Sequence, residues 1–353
     1  MNKTKKILTV IAFILVTAVC ATGVTIAVLA DANRISINSD GVLSAEEAVK
    51  LTNKLEKKNF SQLIKETDKL DINKDGDIFG CYYDAVKSKL HDVSKNDITS
   101  ELLSKKISDD TKINLLLLCE TEEVEINYDD LLPILEDKSV SSGVKGVLVD
   151  LLAGEDETYA DEIAKYASTC GESELTRALL ALKDVRPEQA EKKANNILSD
   201  MSGSFSPAHK AAIIVKSALL ESNSTDDEID SFINVCDRIL KSMPADDVDD
   251  KEVSVIYALS ALKSKKSFSY LMNLDMENAV DFRAYIVDEN EDVIDGILNS
   301  SPDFESVDLI AKTYAYYVPQ AQFKEKTEKY LNDNGGYFSE NADQKEMLLE
   351  VIK

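Results

Sequence analysis

Residues 172–198 read ESELTRALLALKDVRPEQAEKKANNIL, and the period of the apolar residues in this stretch decides the fold class. Leu175, Ala178, Leu179 and Leu182 stand at i, i+3, i+4 and i+7, which lays one apolar stripe along an α-helix. Pro187 suits the first turn of a second helix, because its φ is already helical and its missing N–H has no partner to lose there. Ala190, Ala194, Ile197 and Leu198 give that helix a stripe of its own.

The first stripe recurs in both directions along the chain. It returns as Val144, Val147, Leu148 and Leu151, as Ala208, Ala211, Ala212 and Val215, and as Val255, Ala258, Leu259 and Leu262. Val307, Ile310, Ala311 and Tyr314 repeat it again, and Ile113, Leu116 and Leu117 start an incomplete copy. The starts at 113, 144, 175, 208, 255 and 307 are separated by 31, 31, 33, 47 and 52 residues. The first three offsets match a two-helix repeat, and the last two leave room for extra helices. Ile229, Phe232, Ile233, Cys236 and Ile239 mark the clearest partner helix. Asp109-Asp110, Asp129-Asp130 and Asp226-Asp227 precede apolar runs, where carboxylates cap free N–H groups and oppose the helix dipole. Gly154, Gly171 and Gly335-Gly336 fall where helices should stop. No stretch sustains the period-two alternation of a strand, so the expected class is all-α.

Short antiparallel helix pairs at this near-constant period resemble an α-solenoid, and the nearest family is the HEAT-like class, over about residues 98–353. The resemblance implies helix pairs stacked side by side, with a long surface for partners. The chain departs from that family in lacking its Asp-and-Arg ladder, for Lys112 and Lys145 stand where Arg is expected. The Trp, Leu-Gly and Tyr signature of tetratricopeptide repeats is absent as well. An irregular helical bundle or toroid is the alternative architecture for the same stripes.

The 353 residues include 65 Asp and Glu against 40 Lys and Arg, a formal charge of −25. That length is ample for a core. Only 12 Gly and 6 Pro argue against a sheet-rich fold with many tight turns. So large an acidic excess repels phosphate backbones and anionic lipid, which excludes nucleic acid as the expected partner. Arg occurs only at 34, 177, 186, 238 and 283, so Lys supplies most of the positive charge as flexible, hydrated surface groups.

At the N-terminus, Lys3, Lys5 and Lys6 precede an uncharged run of 24 residues from Ile7 to Ala30, long enough to cross a bilayer as a helix. The basic flank places residues 1–6 in the cytoplasm and 31–353 outside it. A membrane anchor is the expected role of 7–30; the alternative is a signal peptide cleaved near Ala30 or Ala32. Removing residues 1–30 takes the formal charge from −25 to −28. The expected organisation is a cytoplasmic 1–6, a span at 7–30, a helical segment at 31–93 carrying two loop motifs, and helical repeats over 94–353.

The second loop motif is Asp71-Ile72-Asn73-Lys74-Asp75-Gly76-Asp77-Ile78, which matches the first eight positions of an EF-hand calcium loop. Oxygen side chains at positions 1, 3 and 5 converge on a cation, the Asp77 carbonyl adds a fourth ligand, and Gly76 allows the sharp turn. Thirty-five residues earlier, Asn38, Asp40, Gly41, Leu43, Ser44 and Glu47 fall at positions 3, 5, 6, 8, 9 and 12 of a similar loop. A loop followed by one helix, used twice over residues 36–92, is similar to a dockerin. That resemblance implies weak Ca2+ binding at Asp71, Asn73, Asp75 and Asp77, with Asn38, Asp40 and Glu47 as the ligands of the first loop. Both loops depart from the pattern: Ser36 replaces the acid at position 1 of the first, and Tyr82 the acid at position 12 of the second. Read without metal, both are turns, and Ser44-Ala45-Glu46-Glu47 is a capping box that starts a helix.

The chain contains no glycine-rich phosphate loop and no Gly-x-Ser-x-Gly turn. His91 and His209 are isolated, and Cys81, Cys119, Cys170 and Cys236 lack the close spacing of a zinc site. Buried thiols are the expected state of Cys119 and Cys236, with two extracellular disulfides as the alternative. Tyr314, Tyr316 and Tyr317 form a dense aromatic cluster; Tyr314 belongs to a stripe, and Tyr316 and Tyr317 are expected on a contact surface. The expected function is a membrane-tethered acidic scaffold that binds other proteins and is not an enzyme. A calcium-dependent docking module and a carbohydrate-active helical toroid are the alternatives, the latter disfavoured by the lack of Trp for sugar stacking.

Overall fold

The computed structural model describes residues 43, 45–72, 74–155, 157–220, 224–318 and 320–353. The expected span at 7–30 and the candidate ligands Asn38, Asp40 and Asn73 lie outside the described residues. Among those described there is no strand, and the chain is all-α. No described helix is long and apolar enough to cross a membrane. The chain divides into two units, 1–111 and 112–353.

In the first unit, α1 (Ala45–Leu55) and α2 (Phe60–Thr67) both pack against α3 (Gly76–Leu90), and α4 (Lys95–Leu103) follows. Leu55, Leu63, Ile64, Val86 and Leu90 are buried between them. Asn59 starts α2 with a reciprocal cap: its Oδ1 accepts from the Gln62 N–H at 2.9 Å, and Gln62 Oε1 accepts from the Asn59 N–H at 3.2 Å. Beyond α2, Asp68 Oδ1 accepts from Ser108 N at 2.7 Å and from Thr111 Oγ1 at 2.8 Å.

The division between units falls within α5 (Asp109–Thr121). After it come the short α6 (Tyr128–Leu131) and α7 (Pro133–Glu136), then α8 (Ser142–Gly154), α9 (Ala160–Thr169), α10 (Glu172–Val185), α11 (Pro187–Ser199) and α12 (Pro207–Leu220). The chain continues through α13 (Asp226–Ser242), α14 (Val248–Ala261), α15 (Lys265–Met272), α16 (Glu277–Asp281), α17 (Arg283–Glu289) and α18 (Glu291–Leu298). It closes with α19 (Phe304–Thr313), α20 (Gln320–Asp333), α21 (Gly335–Glu340) and α22 (Ala342–Val351).

The helices that carry the repeated stripe pack on one another in order: α8 on α10, α10 on α12, α12 on α14. Their stripes are the core. Val144, Val147, Leu148 and Leu151 are buried, as are Leu175, Ala178, Leu179 and Leu182, and Val255, Ala258, Leu259 and Leu262. Ala178, Ala211 and Ala212 have no exposed surface, and their size lets neighbouring helices approach closely. The intervening α9 and α11 lie against α10, and α11 also against α12. Past α14 the order changes: α15 packs on α13, α14 and α19, and α19 packs on α22.

Polar ties join each stretch to the next. Arg177 Nη1 lies 3.5 Å from Asp150 Oδ2 and Lys145 Nζ 3.5 Å from Glu174 Oε1, two rungs between α8 and α10. Lys210 pairs with Asp250 at 2.5 Å and Ser217 Oγ donates to the Ala258 carbonyl at 2.6 Å, joining α12 to α14. Lys216 pairs with Glu191, Lys265 with Asp303, and Lys326 with Asp295. Lys145, which stands where Arg was expected, pairs with Glu174, and the Arg177–Asp150 pair lies beside it.

Helix ends follow from local chemistry, with two shifts from the expected places. Asp226 and Asp227 lie inside the first turn of α13, and Thr225 is the cap: its Oγ1 accepts from Glu228 N, and Glu228 Oε2 accepts from Thr225 N at 2.8 Å. Gly335-Gly336 opens α21, one residue after Asn334, whereas Gly154 ends α8 as expected.

Candidate functional site

The second loop motif folds as a tight turn into a helix. Lys74 N and Asp75 N both donate to the Asp71 carbonyl, at 2.9 and 2.7 Å, and α3 begins at Gly76. Asp77 therefore lies in the first helical turn, where its carbonyl faces along the helix. Each acid is turned onto a nearby donor. Asp75 Oδ2 accepts from Asp71 N at 2.9 Å, Asp71 Oδ2 pairs with Lys74 Nζ at 3.0 Å, and Asp77 Oδ2 accepts from Leu43 N at 2.8 Å. Tyr82, at the position of the missing acid, donates to Glu66 Oε2 at 2.7 Å, and Lys58 pairs with the same carboxylate. Lys58 and Tyr82 hold the Glu66 carboxyl below its ordinary range, while burial and Glu66 push the Tyr82 phenol up to about 12. Glu47 is exposed on α1. Among the described residues no group of three or more His, Cys, Asp or Glu side chains gathers as a metal site. The described members of the loop make a turn whose carboxylates are each engaged by a nearby donor.

The aromatic cluster also departs from its expected role. Tyr317 is 1% exposed, stacks on Phe323 with centroids 4.5 Å apart, and donates through its hydroxyl to Glu291 Oε1 at 3.1 Å. Tyr314 lies 5.5 Å from the same ring, and Tyr316 is half-buried. The physical reason is that α19 ends at Thr313. Tyr314–Tyr317 occupy the turn beyond it, where helical spacing no longer decides which ring points inward.

Other titratable groups serve packing. His209 Nε2 donates to the Asp200 carbonyl at 3.0 Å, which leaves Nδ1 to accept from Ser206 N and Oγ at 3.3 and 2.9 Å. The ring thereby caps the start of α12. Cys81, Cys119, Cys170 and Cys236 are free thiols; burial pushes Cys119 up to about 12 and raises Cys236 further. Asp150 sits in the crowded contact between α8 and α10. Arg177 reaches it by lying across Gly146, where a Cβ would come within 2.5 Å of the Arg177 Cδ.

A different face brings chemistry to the surface. Along α14, Asp249, Val253 and Tyr257 follow one another at i, i+4 and i+8. Residues 277–289 run beside them. Asn278 Nδ2 donates to Asp249 Oδ1 at 3.0 Å and to Glu252 Oε2 at 2.8 Å. One end farther on, Tyr257 meets Tyr285 and Phe282 edge to face, with centroids 4.9 and 5.8 Å apart. The three rings are half-buried. Val248, the first residue of α14, and Val280 are 50% and 45% exposed. Asp246, Asp247, Asp249, Glu277, Asp281 and Asp288 are exposed around this strip. The nearby cations are turned away: Lys251 Nζ donates to the Leu240 and Met243 carbonyls, and Arg283 Nη2 lies 3.4 Å from the Leu274 carbonyl. The sequence carried a signal for this face, seven acids against one Arg between 275 and 292, with Val280, Phe282 and Tyr285 among them.

The chain matches no family model, no curated protein and no solved structure.

Proposed function

We propose that the chain is an acidic α-solenoid scaffold that binds other proteins, exported and held at the membrane by residues 7–30. The observation that carries the reading is the serial packing of α8, α10, α12 and α14, with rungs between neighbours. A stack built from neighbour contacts leaves a large side surface relative to its mass, and such surfaces suit recognition. The excess of acids makes that surface selective for cationic partners and repels anionic ones. The engagement of the Asp71, Asp75 and Asp77 carboxylates by nearby donors supports this reading over calcium-dependent docking.

Affinity capture with the full chain from its own cell envelope tests the proposal. One or a few proteins should be retained saturably, be released as ionic strength rises, and be indifferent to chelator. Retention no different from that on an unrelated acidic helical protein would sink the scaffold reading. Release by chelator alone would transfer the function to the loop motifs.

A further inference from the structure

We propose that the strip formed by α14 and residues 277–289 is the docking face for a cationic segment of a partner protein that alternates basic and apolar side chains. This inference rests on the scaffold reading and names its contact surface.

Three observations carry it. The first is composition at the surface: Val248 at the start of α14 and Val280 in the facing segment are half exposed, and Tyr257, Phe282 and Tyr285 form a half-buried aromatic cluster farther along. Protein interfaces centre on apolar and aromatic anchors, with Tyr enriched among the residues that dominate binding. The second is charge. Five acids and one Lys lie between 246 and 252, and seven acids and one Arg between 275 and 292. Lys251 and Arg283 are engaged with backbone carbonyls, so the surrounding field is negative. The third is preorganisation. Asn278 pins one end of the strip to Asp249 and Glu252, and the three rings lock the other. A face already ordered loses less freedom on binding.

Together these features select the occupant. Nucleic acid and anionic bilayers carry the wrong sign. A purely charged segment would leave the valines and ring edges in water. A segment with Lys or Arg facing the carboxylate rim and Leu, Val or Phe over Val248 and Val280 matches both.

The test uses the full chain and two fluorescein-labelled synthetic peptides of equal charge, one alternating lysine with leucine and one alternating lysine with serine. Anisotropy titration at physiological salt should give at least about tenfold tighter binding of the leucine peptide. Hydrogen exchange should show protection confined to 246–257 and 277–289. The double variant Val248→Asp with Val280→Asp should erase the leucine preference while circular dichroism stays unchanged; Val280→Ser alone should weaken it if the aspartates disturb the fold. Glu277→Lys with Asp281→Lys should weaken both peptides. Equal affinity for the two peptides overturns the proposal. So does a leucine preference with protection elsewhere on 112–353, although that outcome leaves the scaffold reading intact. The scaffold reading itself falls only with the capture experiment.

Discussion

Burial pushes the Asp150 carboxyl from its ordinary 3.8 up to about 7, against the opposing pull of Arg177. The folded chain therefore holds this proton to higher pH than the unfolded chain does. The stability it contributes is complete below about pH 4 and declines as pH rises towards 7, by at most about 1.4 kcal/mol per pH unit. Asp150→Asn should flatten that decline, and Arg177→Gln should move the titration upward by removing the cation that lowers it. Denaturant unfolding at a series of pH values, beside carboxyl NMR, checks both; a wild-type-minus-variant difference that stays constant from pH 4 to 7 would refute the assignment. Sequence was least informative at this scale. Lys145 was readable as a cation where Arg was expected, yet its partner Glu174 comes from the next repeat, and only packing brings the two together. The oxygen-rich run at 71–77 was readable as a turn, but whether its carboxylates face a cation or their own backbone depends on where α3 begins. Tyr317 went the other way from its spacing because the helix supplying that spacing had already ended.

Helix ends show how much each element depends on one or two groups. Glu123 and Lys263 follow α5 and α14 with φ of 54° and 47°, the left-handed region in which a Cβ is crowded. Lys263→Gly should therefore stabilise the chain by about 0.5–1 kcal/mol, read as a raised melting temperature. At the end of α13, Lys251 Nζ lies 3.1 and 3.0 Å from the Leu240 and Met243 carbonyls and neutralises the negative pole of that helix. Lys251→Met keeps most of the buried stem but strips two carbonyls of their donor, and should cost about 1–3 kcal/mol. Equal stability of wild type and Lys251→Met in urea would mean that water replaces the ammonium. Element existence was legible in the sequence through period and punctuation. The exact ends were not: acids in a first turn and a capping hydroxyl compete for the same N–H groups, so Asp226-Asp227 marked the start of α13 while Thr225 capped it.

Across the whole molecule, the stripes read from residues 144, 175 and 255 are the buried seams between successive helices, because a period of 3.6 residues fixes which face turns inward. Leu179→Asp should place an unpaired charge at a fully buried seam and cost about 4 kcal/mol or more, with exchange protection lost in α8, α10 and α12 together. Asp226→Lys, on an exposed first turn, should cost about 1 kcal/mol or less. Similar effects of the two changes would refute the seam assignment. What the stripes did not disclose was the surface along α14, since exposure is a property of the assembled stack. The polar ties from α8 to α20 have a mechanical consequence. Each tie named above joins residues 25 to 41 positions apart, so every link reaches only the adjacent stretch of chain. Pulled from Lys353, such a chain should yield link by link, as a zip does, with no single rupture. Each release of a 31-residue repeat frees about 105 Å of extended chain, and optical-trap traces should show steps of that order. A load applied between α14 and Lys353 would then lengthen only the helices between those two points, while the repeats before α14 stay folded.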